Sequence, residues 1–537
     1  MPPVDPTAST PAASGSRPSS ASAARRARAG SGPVRAAATA PTGGRDDASA
    51  LAGLRKRALT VLSELAPDAL ELGELFRAAG HELALVGGPV RDAFLGRASH
   101  DLDFTTSATP DQTEQILARW GDAHWDVGRE FGTIGARRFG GRRGSSAPDV
   151  VVEVTTYRTD AYDPASRKPE VVFGDSLEGD LSRRDFTVNA MAVRVPELTF
   201  VDPFDGLADL ARGVLRTPID PRRSFDDDPL RMLRAARFAA QLGFTVDPAA
   251  RQAVVDMAER LTIVSAERVR DELVKLLLSD RPRAGLEVLV DTGLADQVLP
   301  ELPALRLEID EHHRHKDVYE HSLMVLDRAI ALETGPDGDV PGPDLVLRLA
   351  ALLHDIGKPR TRRFEPGGGV SFHHHEVVGA KMTAKRLKEL RFDKATVQAV
   401  AKLVELHLRF HGYGDGEWTD SAVRRYVTDA GPLLQRLHRL TRSDCTTRNQ
   451  RKAARLAAAY DHLEERIARL QEQEELDAIR PDLDGTQIME TLGLTPGPVV
   501  GQAYKHLLAL RMERGPLGEE AAREELLRWW RERDASS

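Results

Sequence analysis

A single cysteine, Cys445, in 537 residues excludes a disulfide framework and argues against a zinc site built from thiolates. That cysteine count fits a reducing compartment. Long apolar runs are missing as well. None reaches the roughly 18 residues that cross a bilayer, and the amino terminus lacks the apolar centre of a signal peptide. A cytoplasmic chain is the expectation. Positive charge is not in excess. Lys and Arg number 74 against 82 Asp and Glu, for a formal net charge of −8 at pH 7. The whole molecule is therefore no general magnet for polyanions, although local basic patches remain open to them. Bulky apolar residues are nearly absent from residues 1–48, which are rich in Ala, Ser, Pro, Gly and Arg. Such a stretch cannot bury enough surface to offset the entropy of ordering, so a disordered, mildly basic tail is expected.

Beyond that tail the composition is that of a globular protein, 41% hydrophobic and 29% charged, with room for several domains. "LRKRALTVLSELAPDALELGELFRAAG" has helical spacing and stops at Gly80. "HELALVGG" reads as a strand entering a glycine turn, "VRDAFLG" as a short helix and "HDLDFTT" as a second strand. "TPDQTEQILARW" is a capped helix starting at Thr109 or Asp111, and "DVVVEVTTYR" is a β-branched strand. "SRRDFTVNAMAVRV" leads from a turn into helix or strand. From about Pro229 almost everything reads helical. The fold class is α+β: a small mixed sheet followed by an all-α remainder. The expected divisions are a tail at 1–48, a sheet domain at 49–218, a helical neck at 219–310, a second helical domain at 311–450 and a helical tail unit at 451–537.

The stretch "LVGGPVRDAFLGRASHDLDFTT" carries the first chemistry. Asp101 and Asp103 are two apart, so on a strand both point to one face. Paired carboxylates repel unless a cation sits between them. Oxygen ligands of this kind suit Mg²⁺, which takes one or two carboxylates together with substrate phosphates. Gly87 and Gly88 let a backbone approach a triphosphate closely, and Arg91 lies within reach of phosphate. A solvated hairpin is the bland alternative for the aspartates alone. Glu153, on "VVVEVTT", is a candidate third carboxylate or an exposed strand residue. In "DDPLRMLRAARFAAQLGF", Leu230, Leu233, Phe238 and Leu242 fall near one face, and Arg231, Arg234 and Arg237 recur every three residues along one side.

The glycine turn with "HDLDFTT" resembles the signature of the polymerase-beta nucleotidyltransferase superfamily, and more narrowly the class of bacterial tRNA CCA-adding enzymes and poly(A) polymerases. "TTYRTDAYDPASRKPEVVFGDSLEGDLSRRDFTVNAMA" is similar to that class's flexible loop and Arg-Arg-Asp motif. "VDPFDGLADLARGVLRT" is similar to its connecting segment, "DDPLRMLRAARFAAQLGF" to its nucleotide-selecting motif and "SAERVRDELVKLLLS" to its neck helix. The resemblance covers about residues 55–310 in the family's order. It implies addition of CCA from CTP and ATP to the 3′ end of tRNA without a nucleic-acid template, with release of pyrophosphate. Mg²⁺ would be held by Asp101 and Asp103. The nucleotide would meet Gly87, Gly88, Arg91, Arg184, Asp227, Asp228, Arg231, Arg234 and Arg237. Asp228 can accept from the amino group of cytosine or adenine while Arg231 donates to a ring nitrogen or to cytosine O2; guanine and uracil present a different pattern. A capped helix start with local charge pairs would explain the acids but not the arginine row. Asp227 stands where the family often has Glu.

A second constellation lies downstream. "LAALLHDIGKPRTRRF" holds His354 and Asp355, with His321 before it and Asp444 after it. This arrangement resembles the HD-type metal phosphohydrolases. It implies His321, His354, Asp355 and Asp444 as a core ligand set, with His375 and His407 as extra ligands for a second metal. Imidazole with carboxylate suits Mn²⁺, Ni²⁺ or Zn²⁺. The implied chemistry is hydrolysis of phosphate ends or cyclic phosphates, unless the domain serves as a scaffold.

The expected partners are tRNA, through its 3′ end and acceptor stem or elbow, together with CTP and ATP, and neither a membrane nor a disulfide partner. In the family the carboxy-terminal end holds the tRNA elbow, and here Trp529 and Trp530 read as core more than as a stacking platform. Three alternatives share parts of this reading: a poly(A) polymerase, an enzyme adding only CC or only A, and an HD phosphohydrolase with a nucleotide-sensing head. The neck and a full-length loop favour complete CCA addition.

Overall fold

The computed structural model describes residues 53, 56, 58 and 60, then 67–97, 101–140, 149–161, 170–174, 176–307, 317–366, 370–410, 413, 418–447, 449–474 and 480–534. The expected tail at 1–48, most of the loop "YDPASRKPE" and the histidines of "HHRH" lie outside the described residues.

The head is a mixed sheet in the order β3-β4-β5-β2-β1-β8-β9. Its strands are β1 (Leu83–Val86), β2 (Asp101–Thr106), β3 (Ala123–Trp125), β4 (Thr133–Arg138), β5 (Val150–Thr156), β8 (Ala192–Val195) and β9 (Thr199–Val201), with β6 (Arg158–Ala161) and β7 (Glu170–Phe173) forming a separate antiparallel ribbon. Every pairing in the large sheet is antiparallel except β2 with β5. Alternation along β2 decides which side chains reach the cleft. Leu102 and Phe104 enter the core, whereas Asp101 and Asp103 face outward. The helix Pro110–Trp120 starts in a capping box formed by Thr109 and Gln112, which satisfies two backbone donors at its first turn.

The helix Leu230–Leu242 differs from a simple amphipathic reading. Leu230, Met232, Leu233 and Ala236 join the helical core, while Ala235, Phe238 and Ala239 join the core of the head. It is sandwiched, so apolar contact is required nearly all round. Gly285 of the helix Pro282–Asp291 lies against it. A Cβ there would come within 2.5 Å of the Ala236 carbonyl oxygen, so only glycine permits the crossing.

One core runs from Phe225 to Leu470. The neck and the second helical domain therefore share their interior. Arg348 stitches them together, donating to the carbonyls of Leu277 and Ser279 and pairing with Glu333 at 2.7 Å. The helix Gln450–Glu474 sends Tyr460, Leu463, Ile467 and Leu470 into the same core. This differs from the division expected near residue 450, because the amphipathic stripe of that helix needs a partner face and finds it upstream. The tail unit has its own small core around Leu483, Ile488, Leu507 and Leu526, with Trp529 packed against it. Among the described residues no helix is long and apolar enough to cross a membrane.

Candidate active site and metal centre

Gly87 closes β1 with φ of 74°, a conformation that L side chains rarely adopt. A Cβ at this position would lie 2.9 Å from Arg184 Nη1 and 3.9 Å from Asp103 Oδ2. The bare turn thus leaves room for the guanidinium and the carboxylate to approach each other. The parallel register sets Glu153 directly beside Asp103, and Asp101 beside Val151. Asp101, Asp103 and Glu153 are all exposed on this open face. Although Asp103 opens to solvent, the surrounding protein strips enough water to push its carboxyl up. Arg184 opposes that shift, while Glu153 and Asp101 add to it. Three carboxylates gathered on one face form a donor set suited to a hard divalent ion.

Next to the carboxylates lies a crowd of guanidinium groups. Arg183 and Arg184 both reach buried Asp180, at 2.7 and 3.4 Å. Arg91 donates to Asn189 Oδ1 at 2.7 Å, and Asn189 in turn donates to Asp185. Arg234 pairs with Asp185, and Arg237 with Glu272 at 3.0 Å. Arg91, Arg234 and Arg237 surround the Phe238 ring, at 5.3, 5.6 and 4.1 Å from its centroid. Burial, together with the neighbouring Arg234 charge, pushes Arg237 down to about 10. Buried Asp185 moves the other way: the Arg234 charge and several hydrogen bonds overcome its desolvation and hold it below the usual carboxylate range. This is a socket in which cations are crowded, and a polyanion would relieve that crowding.

The arginine row does not form one exposed face. Arg231 and Arg237 are buried, and Arg234 is engaged by Asp185. Spacing alone set their side of the helix. The head and the neck helix packed against that side supply the counter-ions.

Asp227 ends the helix Pro221–Asp227, and Asp228 follows as its cap. Asp228 accepts from the Leu230 amide through Oδ1 and from Arg268 through Oδ2 at 3.1 Å. Arg231 donates to the Ser224 carbonyl and hydroxyl and to the Arg183 carbonyl. The two residues are thus neighbours held by separate partners. Arg268, Asp185, Asn189 and Glu272 went unnamed in the sequence reading. Arg268 and Glu272 stand in the quoted neck motif, and Asp185 and Asn189 in the quoted Arg-Arg-Asp stretch, but nothing local says what they touch.

The second cluster gathers His321, His375 and Asp444 from three helices, and His354, Asp355 and His407 from the turns that follow two others. Two groups of three form, His321 with His354 and Asp444, and Asp355 with His375 and His407. Asp355 faces both sets. Its Oδ2 lies 3.1 Å from His354 Nε2 and 3.5 Å from His321 Nε2, and its Oδ1 lies 3.3 Å from His375 Nε2. Backbone carbonyls three residues upstream accept from Nδ1 of His354, His375 and His407, at 2.9, 2.8 and 2.7 Å. A carbonyl can only accept, so Nδ1 carries the proton and the Nε2 lone pair turns inward. The Nε2 atoms of His321 and His354 face each other at 3.2 Å, and His407 Nε2 is buried without a hydrogen bond.

Burial alone would lower His354, yet the Asp355 and Asp444 charges push it up to about 9. Burial and the His354 charge push His407 down to about 3. Lys358 Nζ stands 3.0 Å from Asp355 Oδ2, a contact missed in the sequence although "HDIGK" places the lysine three residues on. Inward lone pairs, two carboxylates and a preference for positive charge fit divalent metal ions.

A family model for the poly A polymerase head domain matches residues 83–216, one for the probable RNA and SrmB-binding site of polymerase A matches 243–305, and one for the HD domain matches 318–470. The A-adding tRNA nucleotidyltransferase of Deinococcus radiodurans is 36% identical over 465 residues, covering 84% of this chain and 96% of that protein. The CCA-adding enzyme of Lacticaseibacillus paracasei is 42% identical over 227 residues, covering 42% of this chain and 54% of that protein. Among solved structures, the Bacillus stearothermophilus CCA-adding enzyme in complex with CTP aligns with a TM-score of 0.60 at 23% identity, covering 88% of this chain and 98% of that one. At that identity the likeness is one of fold.

Proposed function

This chain belongs to the family of tRNA nucleotidyltransferases and poly(A) polymerases, and on that premise we propose that it adds CCA to the 3′ end of tRNA from CTP and ATP. The observation that carries this reading is the juxtaposition of Asp101 and Asp103 with the Gly87 turn and the arginine socket. Mg²⁺ held by the two aspartates would supply charge stabilisation and an activated primer hydroxyl for attack on the α-phosphorus. The chain's own residues do the rest. Gly87 leaves the space a triphosphate needs. Arg184 stands beside that space, and Arg91, Arg234 and Arg237 provide the positive field. Asp185 and Glu272 hold the Arg234 and Arg237 guanidinium groups in place.

Base choice falls to Asp228 and Arg231. The observed bonds use three of the five N–H donors of Arg231. The Asp228 carboxylate keeps lone pairs beyond those given to Leu230 and Arg268. Cytosine and adenine both offer an amino donor beside a ring-nitrogen acceptor. Guanine and uracil invert that order and would leave buried groups unpaired. In this reading the neck and tail unit hold the tRNA body, and the protein works in the cytoplasm. His321, His354, Asp355, His375, His407 and Asp444 would hold Mn²⁺, Ni²⁺ or Zn²⁺, and phosphate hydrolysis is the chemistry such ions would supply there.

A second reading, addition of the terminal A alone, is favoured by one observation. The relative matched along nearly its whole length is named for A addition, whereas the chain spans about half of the Lacticaseibacillus CCA-adding enzyme. Primer extension on tRNA transcripts ending before CCA, after C and after CC separates the readings. CCA followed by arrest is the expected result with both nucleotides present. Extension only of the CC-ended transcript, with ATP, would establish the A-adding reading. Long A tails would make this a poly(A) polymerase, and no extension would overturn the proposal.

Gly87→Val tests the turn. The substitution strains the backbone and sets atoms against Arg184, so kcat/KM for both nucleotides should fall at least about tenfold, the equivalent of ~1.4 kcal/mol. Steady-state kinetics on protein with an unchanged circular dichroism spectrum would read this. An unaltered kcat/KM would move the triphosphate away from the turn.

A further inference from the structure

The helices His375–Glu389 and Lys394–Leu406 pack side by side and turn His375 and His407 inward to the metal centre. Their other side carries a groove of about 720 Å³ that no function described above uses. Its floor is small and apolar. Ala380 and Ala384 stand one turn apart on the first helix, Val397 and Ala401 one turn apart on the second, and Phe392 closes one end. Val377, at the first turn of the first helix, is 38% exposed. Lys381, Lys388, Lys394 and Lys402 line the same groove, with Glu405 as the one acid among its lining residues.

Two features set this groove apart. Five of the chain's twelve lysines fall between residues 381 and 402, in a protein that otherwise relies on arginine for positive charge. Lys402 pairs with Glu405 at 3.3 Å, but among the described residues no carboxylate pairs with Lys381, Lys388 or Lys394. Many of the surface arginines, by contrast, hold an acid, as Arg137, Arg283, Arg409 and Arg466 do.

We propose that this groove docks an amphipathic helix of another protein, with an apolar stripe flanked by Asp and Glu. Alanines at helical spacing let a third helix approach to the 8–10 Å typical of packed helices. The apolar stripe covers the floor, as in other helix-in-groove complexes. The unpaired lysines, flexible hydrated charges on long stems, meet the flanking carboxylates. RNA fits the groove less well, because a phosphate backbone would be desolvated against a floor in which Gln398 is the one uncharged polar side chain. The docked helix lies back to back with the metal centre, on helices that supply two of its ligands.

The test is fluorescence anisotropy with the full-length protein. The probe is a labelled peptide of about 18 residues, or five turns, carrying Leu and Ala at i, i+3, i+4 and i+7 between flanking Glu. A scrambled peptide serves as control. The designed peptide should bind in the micromolar range, more weakly as salt is raised, and the scrambled one should not. Lys381→Glu/Lys388→Glu/Lys394→Glu should weaken binding at least about tenfold, and so should Ala384→Trp, which fills the floor. The corresponding triple Lys→Arg variant should retain binding. Nucleotide addition, which none of these residues serves, reports that the variants are folded. No binding, or equal binding by every variant, would overturn the proposal. So would a triple Glu variant that loses affinity for tRNA while the wild type ignores the peptide. A wild-type dimer that the triple Glu variant dissolves would assign the groove to a second copy and overturn it too.

Discussion

Replacing Asp101 and Asp103 together by Ala should slow nucleotide addition at least about a thousandfold, the scale of losing a main charge-stabilising element in phosphoryl transfer. Both side chains leave the same face of β2, and Glu153 stands beside Asp103 in register. A lone Glu153 cannot hold a divalent ion with the same charge or denticity. The fold should survive. Asp103 has its carboxyl raised, so its proton is held more tightly folded than unfolded. Stability from this group is therefore present at low pH and lost as pH rises through the raised value. At neutral pH its ionised form destabilises the native state, so the double variant should melt no earlier than wild type. Single-turnover extension of a tRNA lacking CCA, with thermal melts alongside, reads both effects. Addition within tenfold of wild type would place the reaction elsewhere.

Asp355→Ala should empty the second centre and leave nucleotide addition intact. Asp355 touches both triads and also Lys358, so no other ligand can take its place. Without it, His354 keeps Asp444 as a counter-ion, at 3.6 Å, and buried Lys358 loses its contact with this carboxylate. Breaking one partner of a buried pair is costly, about 3–5 kcal/mol, so Asp355→Asn, which retains volume and a hydrogen-bonding oxygen, is the companion variant. Elemental analysis after dialysis should fall from roughly two divalent ions per chain, as in two-metal sites, to less than about one in both variants. Extension of tRNA should stay within about threefold, because the carboxylates and arginines of that reaction lie in the head and neck. Unchanged metal content would refute the shared-ligand geometry. Collapse of extension with the metal would mean that the second centre supports the head.

Much of the site was legible in the residues because its determinants are local. The two-residue period of a strand put Asp101 and Asp103 on one face before any partner strand was known. Of the two starts offered for the helix after β2, Thr109 is the cap. The His354–Asp355 dipeptide after an apolar helix marked the second centre. Family resemblance then supplied roles for Asp228 and Arg231 that spacing could not.

The remainder depended on what packs against what. A three-residue arginine period was visible, but its counter-ions Asp185 and Glu272 come from the head and the neck helix, so only the packed junction made Arg234 and Arg237 internal. Asp228 found Arg268 forty residues on, while Arg231 turned to Ser224 and Arg183. The candidate metal ligands run from His321 to Asp444, and their gathering into two groups of three was decided by the bundle. The lysine-rimmed groove exists only because two helices lie side by side. The chain by itself determined a mixed-sheet head, a helical remainder and the residue types of two metal-binding constellations, since strand and helix periods and chemical identity are local properties. Tertiary packing alone decided which charges neutralise one another, which candidate ligands come together and which surface stays open, since distance across the fold is not written in separation along the sequence.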